Sequence, residues 1–230
     1  MNKTLFVHSS KSSSTPSLAP VEIGVFLLAL APLCLAIDLT AAECARANFF
    51  PKWLVKAANL SEFFAHGFGI IVIAILIATL DACRKHSIYV GCASLLAGLS
   101  GDLMKLVIFR VRPREFDFAG SVWTTFHDWL PVFTLHPEKL SGSFPSSHAA
   151  TAAGLAFALT TVYPNGRIIF AVLACLACLQ RVLAGAHFPS DVVFGAGLGW
   201  CVAWLLSRFV FPVRWWGPSQ EQRTPPSETA

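Results

Sequence analysis

Apolar residues gather into six long blocks, at 21–37, 63–80, 88–109, 149–162, 168–183 and 192–210, and most charged residues lie between them or at their ends. A helix needs about 20 residues to cross the hydrocarbon core of a bilayer. The blocks therefore predict spanning helices, several of which borrow polar shoulders to reach full length. The weakest, 149–162, gains length if its helix starts at the Pro145 turn. The expected fold is all-α: a polytopic membrane protein with six transmembrane helices. It is expected as one membrane domain over 21–213, flanked by a disordered Ser-rich tail at 1–20 and a polar, Pro-containing tail at 214–230. The first block reads as a retained span rather than a signal peptide, because Glu22 interrupts its start and no clear small-residue cleavage site follows it.

The connections differ in character. Segment 38–62 is amphipathic, with Arg46, Lys52 and Lys56 among Phe49, Phe50 and Trp53, and predicts a short helix along the membrane interface. Segment 110–144 is long and aromatic, and its His127 and His136 read as surface histidines. Pro164-Asn165-Gly166 is a tight turn. Basic residues are somewhat more frequent on the face carrying the short Arg84-Lys85 loop, which places that face and both termini in the cytoplasm.

Composition agrees with the pattern. Of 230 residues, 55% are hydrophobic and 13% charged, with a mean hydropathy of +0.61, whereas a soluble domain carries about 25% charged residues. The net charge of +4 is modest and comes with no basic, aromatic-interleaved surface, so nucleic acid is not an expected partner. The seven cysteines form no disulfide framework, and Cys175 with Cys178 inside an apolar block reads as helix packing rather than redox chemistry.

Charge in such a chain is costly and usually functional, which draws attention to three short stretches. They are Lys105 with Arg112-Pro113, then Pro145-Ser146-Ser147-His148, then Arg181, His187 and Asp191. With alternating spans, the end of block three, the start of four, the end of five and the start of six share one face, so all three stretches converge at one side of the membrane. A Pro-led helix start offers free N–H groups and a dipole to an anion. The Ser146 and Ser147 hydroxyls add donors there, and His148 can exchange a proton. Asp191, in the first turn of a helix begun by Pro189, can reach back toward His187 and fix its tautomer. Arg112 and Arg181 suit phosphate oxygens bidentately and Lys105 as a point charge.

Each stretch alone has a plainer reading. Arg112, beside Arg110 and Arg114, could anchor at the interface; Lys105 could snorkel; Asp102, one turn earlier, reads as its helix partner. His66 and Glu62, at the start of the second block, read as interfacial filler rather than as the lining of a substrate entrance. Together, the three stretches fit phosphate transfer through a covalent histidine better than these readings do.

The ordered set resembles the phosphatidic acid phosphatase type 2 superfamily, integral-membrane lipid phosphatases related to vanadium haloperoxidases. That family's motifs run K-x6-R-P, P-S-G-H and S-R-x5-H-x3-D. Here they read Lys105-x6-Arg112-Pro113, Pro145-Ser146-Ser147-His148 and Gln180-Arg181-x5-His187-x3-Asp191. Ser147 stands where the family usually has Gly, and Gln180 where it usually has Ser. The resemblance implies that His187 is the nucleophile, Asp191 orients it, and His148 protonates the leaving group and then activates water. It further implies that Lys105, Arg112, Ser146, Ser147 and Arg181 hold the phosphoryl oxygens, with no metal or other cofactor. The implied substrate is a lipid phosphate monoester or diphosphate of the phosphatidic acid, phosphatidylglycerophosphate, prenyl diphosphate or lipid A type. The implied setting is a multi-pass inner-membrane protein with its site on the extracytoplasmic face. A phosphotransferase using the same phosphohistidine is the alternative within enzymes, and a silent scaffold or transporter the alternative outside them.

Overall fold

The computed structural model describes residues 21–81, 83–133 and 142–212. His136 and the expected tails at 1–20 and 214–230 lie outside the described residues. The first apolar block forms helix α1 (Val21–Cys34), which passes through a 3-10 turn into α2 (Asp38–Arg46). The two make one 26-residue span, Val21–Arg46, so part of the stretch expected along the interface continues the first span instead. The remainder forms α3 (Lys52–Ala65), which meets α4 (Gly67–Leu80) at a 65° bend. His66 sits in the bend in an extended conformation, and its Nδ1 accepts the Phe68 N–H at 3.3 Å. Then follow α5 (Arg84–Met104), α6 (Ser147–Val162), α7 (Arg167–Leu183) and α8 (Pro189–Leu205).

Among the described residues, four helical stretches are long and apolar enough to cross a membrane, and the bent α3–α4 pair makes a fifth. The chain is therefore a mostly helical, multi-pass membrane protein. The expected sixth span is α6, which has only 16 residues.

The all-α expectation needs one correction. Strands β1 (Ile108–Arg110) and β2 (Phe126–Trp129) pair antiparallel, with Ile108 opposite Trp129 and Arg110 opposite Phe126. The block at 88–109 is thus helical only to Met104. Its last apolar residues include Val107, Ile108 and Phe109, types that favour strands, and a short apolar run does not by itself distinguish strand from buried helix.

Helix α6 is the centre of the bundle, packed by α5, α7 and α8, and every residue from Ala149 to Leu159 is buried. Alanine and glycine side chains make this possible, because between helices in lipid close backbone approach substitutes for a hydrophobic driving force. On α8, a Cβ at Gly195 would stand 2.3 Å from the Ser146 carbonyl oxygen, and one at Gly199 would stand 2.0 Å from that of Ala150. Gly195→Ala is therefore expected to push α8 off the start of α6 and lower stability by about 1–3 kcal/mol, the usual cost of overpacking. A melting curve in detergent equal to wild type would contradict this.

At the opposite end of α6, Asp81 joins three elements. Its carboxylate accepts the Tyr163 hydroxyl and the Cys83 N–H (2.8 Å) and lies 2.8 Å from His86 Nδ1. These contacts, the Tyr163 hydroxyl foremost, hold the Asp81 carboxyl down at about 2 against the opposing effect of burial. Because the folded value lies below the unfolded value of about 4, the contribution is fully present above that pH. It is lost as pH falls through about 2. Asp81→Asn should remove this contribution, lowering stability above about pH 4 by a pH-independent amount and flattening the profile in the acid window below it.

Candidate active site

His187 lies in the tight loop between α7 and α8 and is 5% exposed. The loop closes because the Arg181 carbonyl accepts the N–H groups of both Ala186 (3.1 Å) and His187 (3.2 Å), with Gly185 at φ +62° making the turn. The imidazole Nδ1 is 2.6 Å from the Ser143 carbonyl oxygen. A carbonyl only accepts, so Nδ1 carries the proton and Nε2 keeps its lone pair. Burial holds this imidazole well below its ordinary range, and the nearby Arg181, Arg112 and Lys105 act in the same direction. The ring is therefore neutral at physiological pH.

The expected contact from Asp191 to this ring is replaced by a bridge. Asp191, fully buried, does reach back to the residue before α8, accepting the Phe188 N–H at 2.9 Å. It also accepts the Ser143 hydroxyl, and it is the Ser143 carbonyl that holds His187. Ser143 thus touches both the carboxylate and the imidazole.

Asp191 is in turn held by Arg110, which the sequence placed among interfacial anchors. Arg110 is fully buried. Its Nη1 donates to Asp191 and to Ser190 Oγ (2.8 Å), its Nη2 to Asp38 (2.7 Å), and its Nε to Thr125 Oγ1 (2.9 Å). Its guanidinium carbon lies 4.1 Å from the Phe188 ring centre and 4.5 Å from that of Phe126. Asp38, also fully buried, further accepts the Ser190 N–H (2.9 Å) and hydroxyl. Arg110 directly follows the apolar run Leu106–Val107–Ile108–Phe109, and an arginine there is the one sequence signal that marked it.

The three other cations gather around His187. Lys105 ends α5 and donates to Asp102 at 2.9 Å, the expected helix pair. Arg112 precedes a 3-10 turn, and that segment is tied to the His187 loop by the Arg114 N–H, which donates to the Gly185 carbonyl at 3.0 Å. Arg181 donates through Nη1 to Glu62 of α3 at 2.7 Å, while its buried Nε has no hydrogen-bond partner. That leaves a donor available to an anion beside His187.

At the start of α6, Pro145 precedes the N-cap instead of entering the first turn. Ser146 is the N-cap: its hydroxyl accepts the Ala149 N–H at 3.3 Å, and its own N–H donates to the Asp191 carbonyl at 3.1 Å. Ser146 thus shapes the helix start, and the N–H groups of Ser147 and His148 are the ones that the first turn leaves open. Ser147 is helical, so no left-handed backbone is demanded where the family usually has Gly, and its hydroxyl donates to Asp102 at 2.6 Å. His148 is half-buried, and its ring centre is 6.3 Å from that of His66. Gln180, the other departure, is 6% exposed and donates to Glu62 at 3.3 Å. The described residues hold no group of three or more His, Cys, Asp or Glu placed to hold a metal ion.

Fold and site together define a helical membrane protein in which three cations lie near a buried, neutral histidine. The PAP2 superfamily model matches residues 86–215, and the chain belongs to that superfamily. It is 33% identical over 148 residues to the decaprenylphosphoryl-5-phosphoribose phosphatase of Mycolicibacterium smegmatis, covering 63% of this chain and 72% of that one. Over 120 residues it is 34% identical to the lipid A 1-phosphatase of Rhizobium johnstonii, covering 50% of this chain and 43% of that protein, so it spans less than half the length of this relative. The crystal structure of a transmembrane PAP2-type phosphatidylglycerolphosphate phosphatase from Bacillus subtilis aligns with a TM-score of 0.53 at 24% identity. That alignment covers 84% of this chain and 96% of the other.

Proposed function

We propose that this protein is a metal-independent lipid phosphatase that removes a phosphate from a lipid head through a phosphohistidine. The observation that carries the reading is the buried His187, with Nδ1 donating to a carbonyl and its Nε2 lone pair left for a phosphorus atom among Arg181, Arg112 and Lys105. Nε2 attacks phosphorus as the bond to the leaving oxygen breaks, and His148 gives that oxygen a proton. His148 then takes a proton from water, whose oxygen displaces Nε2 and releases inorganic phosphate. The cations and the open N–H groups of Ser147 and His148 stabilise the charge spread over the phosphoryl oxygens.

Counting α6 as a short, enclosed span gives six, with the site on the extracytoplasmic face of the inner membrane and the Arg84-Lys85 loop in the cytoplasm. The relatives' named activities, on lipid A and on a prenylphosphoryl sugar phosphate, support a membrane lipid as substrate.

The test is phosphate release by the purified protein in detergent with EDTA, across phosphatidic acid, phosphatidylglycerophosphate, undecaprenyl diphosphate and lipid A. Release that persists in EDTA is the expected result. Release that requires an added metal, or none from any lipid, overturns the reading; labelled phosphate appearing on a second lipid instead of in solution identifies a transferase.

A further inference from the structure

Glu62 stands at the open edge of the site, paired with Arg181, where it can bear on substrate choice. It comes from α3, outside all three sequence motifs, and its two oxygens are separately fixed. One accepts Arg181 Nη1 at 2.7 Å and the other accepts Gln180 Nε2 at 3.3 Å. Gln180 is 6% exposed, and its own carbonyl oxygen has no hydrogen-bond partner, so this side chain is committed to holding Glu62 at the cost of an unpaired acceptor. The Arg181 side chain is 14% exposed and that of Glu62 40%, so the carboxylate stands on the open side of the guanidinium.

The general acid fixes which side this is. In the proposed mechanism His148 faces the leaving oxygen, and Glu62 and His66 are among the charged and titratable groups acting on it. His66 Nδ1 accepts a backbone N–H, so its Nε2 carries the proton as a donor, and its ring centre is 6.3 Å from that of His148. On that mechanism the leaving group lies on the side of the site that carries one carboxylate acceptor and one imidazole N–H donor.

A neighbouring donor and acceptor match hydroxyl groups. A second phosphate at the same place would lie against the Glu62 carboxylate, and like charges at close quarters are strongly disfavoured. Two of the three pocket cations are already paired, Arg181 with Glu62 and Lys105 with Asp102. The pocket so balanced suits a single phosphoryl group.

We infer that Glu62, held by Gln180, is a specificity-determining residue that selects a phosphate monoester on a hydroxyl-bearing lipid head, a sugar or polyol, over a lipid diphosphate. The inference rests on the phosphatase reading above and narrows its substrate class.

The experiment compares kcat/KM in detergent micelles for phosphatidylglycerophosphate, whose head keeps a hydroxyl, a prenylphosphoryl pentose phosphate, farnesyl phosphate and farnesyl diphosphate. Wild type, Glu62→Gln and Gln180→Ser are assayed, with melting curves for each. The wild type is expected to favour the two hydroxyl-bearing monoesters over farnesyl diphosphate by at least about tenfold. Glu62→Gln should raise kcat/KM for the diphosphate and lower it for the hydroxylated substrates, collapsing most of that preference. Gln180→Ser, which releases Glu62 without removing it, should act in the same direction more weakly. A wild-type preference for the diphosphate overturns the inference and leaves the phosphatase reading standing. So does a Glu62→Gln enzyme that is folded and slower on all four substrates alike, because that marks a structural role. No hydrolysis of any of the four by wild type defeats both readings.

Discussion

Replacing His187 by alanine is expected to reduce phosphate release by about 10^4- to 10^6-fold, the loss seen when a covalent nucleophile is removed from a working site. The residual rate would come from the cations and helix N–H groups, which still bind and polarise the phosphoryl group. No other side chain in the described site offers a neutral nitrogen held with its lone pair toward that position. The loss should fall almost entirely on kcat, because Arg181, Arg112 and Lys105 remain to hold the ground state. His148→Ala should behave differently with a substrate whose leaving group needs no proton, such as p-nitrophenyl phosphate. The first step survives, the water-activating base is gone, and an acid-labile, alkali-stable phosphoenzyme accumulates. A His187→Ala enzyme that retains more than about one hundredth of wild-type turnover would mean that phosphorus is attacked by another group or directly by water.

The second large effect is expected at Arg110, on stability as much as on activity. The guanidinium lies between two fully buried carboxylates, Asp38 and Asp191. Arg110→Met removes the cation and leaves both of them uncompensated, and breaking a buried pair in this way costs about 3–5 kcal/mol. That is a large share of a typical total of about 5–15 kcal/mol. The protein should melt well below wild type and lose activity at temperatures where it is still folded, because Asp191 no longer has a fixed position from which to hold Ser143. Arg110→Lys keeps the charge but cannot bridge both carboxylates and satisfy Thr125 and Ser190 together, so it should fall between. Adding Asp38→Leu to Arg110→Met should recover stability, since one stranded charge is then removed. A normal melting temperature for Arg110→Met alone would show that the three charges do not act as a unit.

The sequence carried much of this arrangement because membrane chains obey few rules strictly. Apolar blocks had to become helices, and alternation had to bring the block ends bearing Lys105, His148, Arg181 and His187 to one face. What stayed hidden depended on contacts between segments distant in the chain. Asp38 looked like the first residue of an interfacial stretch, yet α2 continues the first span and carries it to Ser190, 152 positions away. Arg110 sat beside Arg112 and Arg114, and spacing alone could not separate the buried guanidinium from its neighbours. Asp191 was read against the ring nearest to it in the chain, whereas Ser143, which belongs to no motif, is the residue that touches both. The strand pair was masked because Val107, Ile108 and Phe109 extend an apolar helix pattern without a break. Gln180 registered only as a departure from a motif, since its partner Glu62 lies in another helix.

The charge triad of Asp38, Arg110 and Asp191 crosses a boundary that the family match does not. The matched region begins at residue 86, and Asp38 lies well before it. The N-terminal span is therefore not an interchangeable membrane anchor fused to a catalytic core. It supplies one of the two buried carboxylates that hold Arg110. Positions 38 and 110 are expected to be inherited as a pair across relatives, with a neutral residue at one accompanied by loss of charge at the other. A chimera that exchanges the first helix between relatives should be less stable when its donor lacks an acid at the position of Asp38, because Arg110 and Ser190 then lose a buried partner.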